Sequence, residues 1–259
     1  MVTNTHERDA KISFDPANHI YHIDGVECYA SATGLVGKFF PQFDADKTIA
    51  QYYASWQRKS HPEYGGKTKE EIKAAWEQKA RNSAELGTKL HEAIELHYKG
   101  GCPDIEGIEE DYARFLSFRK EHPHLHPYRI EWRIGTDADV GIAGTVDMCF
   151  TAEGDPEGSV HLYDWKRTEK DIVETGFRGQ TGLGPLAHLP NANYFHYSMQ
   201  LNTYKYILQT YYNLEVASMH FVTLHNAKLT YNKHAARDLQ REVQSMLQRV
   251  KKERVSFGC

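Results

Sequence analysis

HLYDWKRTEK, residues 161–170, poses the question that the rest of the chain has to answer. Gly158 and Ser159 mark a turn just before it, and Val160, Leu162 and Trp165 supply the bulk of a strand running into an interior. Yet Asp164 and Lys166 stand on either side of the tryptophan. Residues at i and i+2 of a strand point to the same face, so a half-buried strand here carries an acid and a base side by side. Taken alone, Asp-x-Lys is an ordinary ion pair on an edge strand, and patterns this short arise by chance. The neighbouring strands decide between the two readings.

Outward from this strand, YRIEWRIG (128–135) and GIAGTVDMCF (141–150) read as two further strands, linked by TDAD and, onward to 159–167, by EGDPEG. Links this short favour an antiparallel meander. The second strand carries GTVD, with Asp147 last. If the second and third strands are hairpin partners, Asp147 and Asp164 converge at one end of the sheet. Two carboxylates brought together repel unless a hard cation sits between them, and Mg²⁺ or Mn²⁺ takes such oxygen ligands. A lysine beside that cation can orient a water, help its deprotonation or stabilise charge developing on a phosphoryl group. Asp147, Asp164 and Lys166 are therefore the candidate catalytic residues, and the chemistry they suit is phosphodiester hydrolysis.

The flanking sequence fixes the class. ISFDPANHIYHIDGVECYAS (12–31) reads as short strands turned at DPAN and DG. Ser31 caps a short helix stopped at Pro41, and Asp44 caps a second over 44–59. Thr68 and Glu71 have capping-box spacing and open a helical pattern that runs to KGG at 99–101, with a break expected near Asn82. Another helix, 108–122, ends at Pro123. After the meander come a polar, glycine-rich stretch from Glu174 to Asn193, a strong helix over 197–212, a strand over 216–225 and a last helix to about Lys252. This is an α+β chain, a small mixed sheet flanked by helices with a helical N-terminal region. One domain is expected over 1–259, with strands and a helical lobe in 1–84 and the core in 85–259.

Composition narrows little. The formal charge is −4, from 31 basic and 35 acidic residues, which neither supports nor excludes a nucleic-acid partner. No apolar run approaches the roughly 20 residues of a membrane span, and MVTNTHERDA has no apolar signal core, so the expectation is a soluble, intracellular chain. Cysteines at 28, 102, 149 and 259 form no Cys-x-x-Cys pair. That argues against a zinc ribbon and gives little support to an iron–sulfur cluster.

GTVD followed by YDWK resembles the metal-binding core of the PD-(D/E)xK nuclease superfamily. The fuller order is similar to its RecB-type exonuclease branch. GTKLH (Gly87 to His91), Asp147, Asp164 with Lys166, and QLNTY (Gln200 to Tyr204) appear in that branch's sequence of motifs. SATGLV (31–36) also resembles a segment of mitochondrial genome maintenance exonucleases and their viral and phage relatives. The resemblance implies a restriction-endonuclease-like core and a divalent-metal-dependent deoxyribonuclease. It would be an exonuclease that prefers single strands or ends, in replication, recombination or repair, beside a helicase or similar partner. It implies that His91, Asp147, Asp164 and the backbone carbonyl of Trp165 hold Mg²⁺ or Mn²⁺, that Lys166 is catalytic, and that Gln200 and Tyr204 support it.

Other residues are weighed on their own chemistry. Glu95 shares a helix face with His91 at i and i+4, and either reaches the same metal or orients the histidine. Glu131 on the first strand is a supporting or second-metal acid if it falls beside Asp147, and otherwise an exposed strand glutamate. Arg167, Lys170 and Arg178 form a basic run suited to a nucleic-acid backbone, with Phe177 or Tyr194 for base stacking; the bland alternative is a loop with solvated charges. Two rival functions remain in play. One is a nucleic-acid-binding scaffold without catalysis. The other is a different metallohydrolase or a non-haem iron protein using His91, Glu95 and Asp147, for which Lys166 would have no purpose.

Overall fold

A computed structural model describes residues 4–168, 171–224 and 229–257. The strands are β1 (Ile12–Asp15), β2 (Ile20–Ile23), β3 (Val26–Glu27), β4 (Ala30–Ser31), β5 (Leu125–Gly135), β6 (Ile142–Ala152), β7 (Ser159–Lys166), β8 (Glu215–Thr223) and β9 (Asn232–Ala235). The helices are α1 (Ala32–Lys38), α2 (Ala45–Arg58), α3 (Lys69–Tyr98), α4 (Glu109–Glu121), α5 (Asn193–Tyr211) and α6 (Gln240–Phe257). The fold is α+β, as the sequence implies. Among the described residues no helix is long and apolar enough to cross a membrane.

Strands β5, β6 and β7 form the expected antiparallel meander. β8 then pairs parallel to β7. A parallel neighbour requires a long crossover, which α5 supplies. β9, which the sequence reading omitted, closes the far edge antiparallel to β8. β4 and β7 share one side of β6. β4 runs parallel to it at Ile142 and Ala143, whereas β7 pairs with it at Met148, Cys149 and Phe150. Between these two pairings β6 is forked, and Asp147 stands in the fork.

Apolar alternation along the strands buries the sheet on both faces. Val160 and Leu162 of β7 face a core shared with α1, α5 and α6, while Tyr163 and Trp165 face α3 and α4. Asp164 and Lys166 share the α5 side by the same period of two. β1 to β3 form a separate small sheet that packs Ile12, Tyr21 and Ile23 against Ala143.

Helix starts follow local chemistry. Ser31, Asp44 and Thr68 each accept the backbone N–H expected of an N-cap, and Glu71 completes the capping box. The break near Asn82 does not occur. α3 runs unbroken for 30 residues, about 45 Å at ~1.5 Å per residue, and so crosses position 84. Its buried residues are Ile72 near one end and Leu90, Ala93 and Ile94 near the other. The turns between are solvated and braced by Gln78, which donates to Asn82 and accepts from Arg81. The glycine-rich stretch is also more structured than its composition suggests. It has two 3₁₀ turns and a bridge between Thr181 and Pro190, anchored by Leu186 and Leu189 in the main core. α5 begins at Asn193, four residues before the expected start.

Candidate metal centre

The fork in β6 determines the centre. Asp147 has no ladder partner on the β7 side, and its carboxylate substitutes for one: Oδ2 accepts from the Trp165 N–H at 2.8 Å. Tying a carboxylate to the main chain of the next strand fixes its second oxygen without further side chains. Gly144, three residues earlier, leaves room for Tyr204 of α5, since a Cβ there would lie 2.8 Å from the tyrosine ring.

Glu131 arrives by a bulge. The β5–β6 register slips between Pro127 and Arg129, so Tyr128 is an extra residue. Past the slip, Ile130 faces Met148 and Trp132 faces Val146, which sets Glu131 opposite Asp147. Glu131 has a φ of 43°, unusual for a side-chain-bearing residue inside a strand. Its neighbours on both sides are pinned: Asp9 accepts from Arg129 and from the Trp132 indole, each at 2.8 Å.

His91, near the C-terminal end of α3, completes the group. Its Nδ1 lies 3.5 Å from both Glu131 Oε1 and Asp147 Oδ2. Ligand atoms of His91, Glu131 and Asp147 all fall within 4.8 Å of one another. Its Nε2 faces the Trp165 carbonyl oxygen at 3.0 Å. A carbonyl only accepts, so Nε2 is the protonated nitrogen and Nδ1 faces the carboxylates. Burial would lower the His91 pKa, but Asp147 and then Glu131 outweigh it and raise it to about 9. Without a cation, a proton on Nδ1 balances the two acids; a divalent ion would take the place of that proton.

Asp164 and Lys166 form the adjoining half. Lys166 Nζ lies 2.7 Å from Asp164 Oδ2 and donates to Gln200 Oε1 at 3.1 Å. Gln200 spends both amide hydrogens, on Asp164 Oδ1 and on the Tyr204 hydroxyl, each at 3.1 Å. The lysine ammonium also sits 4.7 Å from the Tyr197 ring centre. Burial, opposed by Lys166, pushes Asp164 up to about 6, with Asp147 adding to the rise. Asp147 is raised too, by burial first, against the pull of His91. For Lys166 burial acts downward, yet Asp164 and Asp147 prevail and the pKa is raised, so the ammonium stays charged.

The described residues group somewhat differently from the expected ligand set. Glu131, held in reserve as a supporting acid, joins His91 and Asp147, while Asp164 is paired with Lys166 and lies outside the three-residue group. The Trp165 carbonyl is occupied by the His91 imidazole. Its geometry is that of a group that orients a ligand. Glu95 is turned away to an ion pair with Lys99, one turn along α3. Gln200 bonds to Lys166, Asp164 and Tyr204, which places both α5 residues beside the lysine pair.

Within the basic run, Arg167 is not a free surface residue. Arg167 Nε donates to Asp111 Oδ2 at 2.7 Å in a largely buried pair. Arg178 is exposed and lies over the Tyr52 ring at 4.9 Å. Tyr194 donates its hydroxyl to the Ala235 carbonyl. Lys170 and the side chain of Phe177 lie outside the described residues. Sequence reasoning missed Tyr197 and Asp111. Tyr197 was findable, since it precedes Gln200 by one helical turn; Asp111 gave no signal beyond an acidic first turn of α4.

No family model and no curated protein matches the chain. Among solved structures, similarity reaches a candidate exonuclease from Eubacterium rectale, with 13% identity and a TM-score of 0.34 over 86% of this chain and 71% of that one. A likeness at that TM-score has no bearing on activity.

Proposed function

We propose that the chain is a divalent-metal-dependent deoxyribonuclease of the PD-(D/E)xK type that acts exonucleolytically on single strands. The observation that carries this reading is the pairing of two half-sites in one fork of the sheet. One is a His–Glu–Asp group of metal-ligand dimensions; the other is a buried Asp–Lys pair held by a glutamine.

The donor set fits a hard cation. Three carboxylates, on Glu131, Asp147 and Asp164, face one imidazole and one ammonium. Oxygen-rich sites with a single histidine suit Mg²⁺ or Mn²⁺. His91 Nδ1, Glu131 and Asp147 would hold the ion, with Asp164 the nearest further carboxylate. When bound, it supplies electrostatic stabilisation of the phosphoryl charge and acidifies the attacking water.

The residues of the chain do the rest. The Trp165 carbonyl keeps the His91 ring in one tautomer and orientation. Lys166, charged and fixed on two sides, donates to the water or to a phosphoryl oxygen as negative charge builds there. Gln200 and Tyr197 stop the ammonium from swinging, so the cost of ordering it is met before substrate arrives. Water attacks phosphorus in line as the bond to the 3′ oxygen breaks, which leaves a 5′-phosphate and a 3′-hydroxyl.

The alternative built on His91, Glu95 and Asp147 is weakened because Glu95 pairs with Lys99, and it gives the buried Lys166 no purpose. A scaffold without catalysis gives no reason to bury Asp164 with a lysine.

The test is cleavage of single-stranded DNA labelled separately at the 5′ and 3′ ends, with Mg²⁺, with Mn²⁺ and with chelator. Metal-dependent release of label supports the nuclease, and the two ladders give its polarity. Intact DNA in every condition, from protein that binds it, would favour the scaffold.

A further inference from the structure

One buried charge cluster has no part in the chemistry above. Asp111, in the first turn of α4, is 3% exposed, and Arg114 is 6% exposed. Asp111 Oδ1 accepts from Arg114 at 3.1 Å and its Oδ2 from Arg167 Nε at 2.7 Å. Arg114 also reaches Glu110 at 3.0 Å. Burying such charges is costly unless geometry and hydrogen bonding are good, and it is weak evidence for stability alone. The cluster's position offers another reason for it.

Arg167 follows Lys166 directly. Two residues back, Trp165 is gripped by the same helix: its indole packs edge-on to Phe115 and Phe118 of α4, with ring centres 5.5 and 5.1 Å away. α4 therefore holds the chain on both sides of Lys166. The segment it holds is the one the centre depends on, since the Trp165 N–H fixes Asp147 and the Trp165 carbonyl fixes His91.

The geometry points to Asp111 as a positioning residue of the metal centre, acting through Arg167 to fix the Trp165–Lys166 segment. This rests on the nuclease reading, and it reassigns Arg167 from a DNA contact to a structural tie. Arg167 makes one charged bond through Nε to Asp111 Oδ2, and Arg114 holds the other oxygen, so the carboxylate that receives Arg167 is itself fixed in direction. Its loss removes the tie on the Arg167 side of Lys166 and leaves the pairing of Lys166 with Thr223 of β8 and the Trp165 ring contacts to hold that end of β7.

The experiment uses the full chain with Asp111→Asn and Arg167→Lys. Arg167→Lys keeps the charge and breaks the planar contact, so it serves if Asp111→Asn does not fold. Three quantities are read for each: Mn²⁺ affinity by calorimetry, and kcat and KM on end-labelled single-stranded DNA. A displacement of about 1 Å at a reacting group can cost on the order of 100-fold. For this partial loosening the expected loss is roughly 10-fold in kcat, with KM within about twofold and Mn²⁺ affinity lowered several-fold in both variants. A merely structural role would lower the melting temperature and leave kcat per folded molecule unchanged, which overturns the inference. So would a loss confined to KM in Arg167→Lys, which marks a DNA contact. Wild type that binds Mn²⁺ and cuts while both folded variants match it overturns this inference alone. Wild type that does neither overturns the nuclease reading, and this inference with it.

Discussion

Gln200→Leu is the perturbation that probes the centre most economically. Gln200 sits 8% exposed and makes three bonds at 3.1 Å, to Lys166, Asp164 and Tyr204. Leucine is similar in size and supplies none of them. Two of the three partners are charged, and a hydrogen bond to a charged group contributes about 1.5–3 kcal/mol. If one such bond's worth of lysine positioning is lost from the transition state, kcat falls by roughly 10- to 100-fold at ~1.4 kcal/mol per decade. Stability should fall as well, by about 2–4 kcal/mol, because Asp164 Oδ1 is left buried without its donor. Tyr204→Phe removes one neutral bond and should lose no more than about 1.5 kcal/mol, hence under roughly 10-fold. The assay is steady-state cleavage of single-stranded DNA at saturating Mg²⁺, beside urea unfolding of each variant. The reasoning is refuted if kcat of the folded Gln200→Leu protein stays within threefold of wild type, or if the loss falls on KM alone.

Other expectations follow from neighbouring features. Glu131→Gly should separate strain from function: glycine accepts a φ of 43° freely, and such strain costs about 1–3 kcal/mol. Melting temperature should hold or rise while Mn²⁺ affinity drops at least about tenfold; unchanged metal binding would remove Glu131 from the centre. Tyr197→Leu should lower kcat several-fold and Tyr197→Phe leave it within about twofold, because the ring face, not the hydroxyl, meets Lys166. Equal effects of the two substitutions would count against the ring. His220 tests the far side of the sheet, where burial, and then Lys233, His161 and His122, push its pKa down to about 4. Its unfolded value is about 6.5, so between those values the unfolded chain binds more protons than the folded one. Stability should therefore fall as pH drops from about 6.5 toward 4. His220→Phe should flatten that part of the profile in urea titrations at stepped pH, and an unchanged slope would place the acid sensitivity elsewhere.

Features set by neighbouring residues were readable from sequence. Ser31, Asp44 and Thr68 cap the helices they precede because a cap needs only a side-chain oxygen and the next turn's N–H groups. The meander of β5 to β7 follows from short polar links and a period of two. What escaped depends on contacts distant in sequence. Glu131 reaches Asp147 only because Tyr128 bulges the strand, and nothing in YRIEWRIG marks where the slip falls. Arg167 looked free because its partner Asp111 lies 56 residues away. Asn82 looked like a helix break because local propensity says nothing of a helix anchored at both ends by Ile72 and Leu90. The contact between the Trp165 carbonyl and the His91 imidazole also escaped, because the orientation of His91 is set by tertiary packing.

The most direct test of the metal-and-lysine centre is single-turnover cleavage of 5′-labelled single-stranded DNA by wild type and Lys166→Ala, with Mn²⁺ binding measured on the same preparations. Lys166 donates to Gln200 and pairs with Asp164, and it is not among the three grouped ligands. The variant should therefore bind Mn²⁺ at least as tightly as wild type while cutting on the order of 10²–10³-fold more slowly, and chelator should abolish wild-type cleavage. Cleavage that survives chelator, or a Lys166→Ala protein that cuts at the wild-type rate, would contradict it.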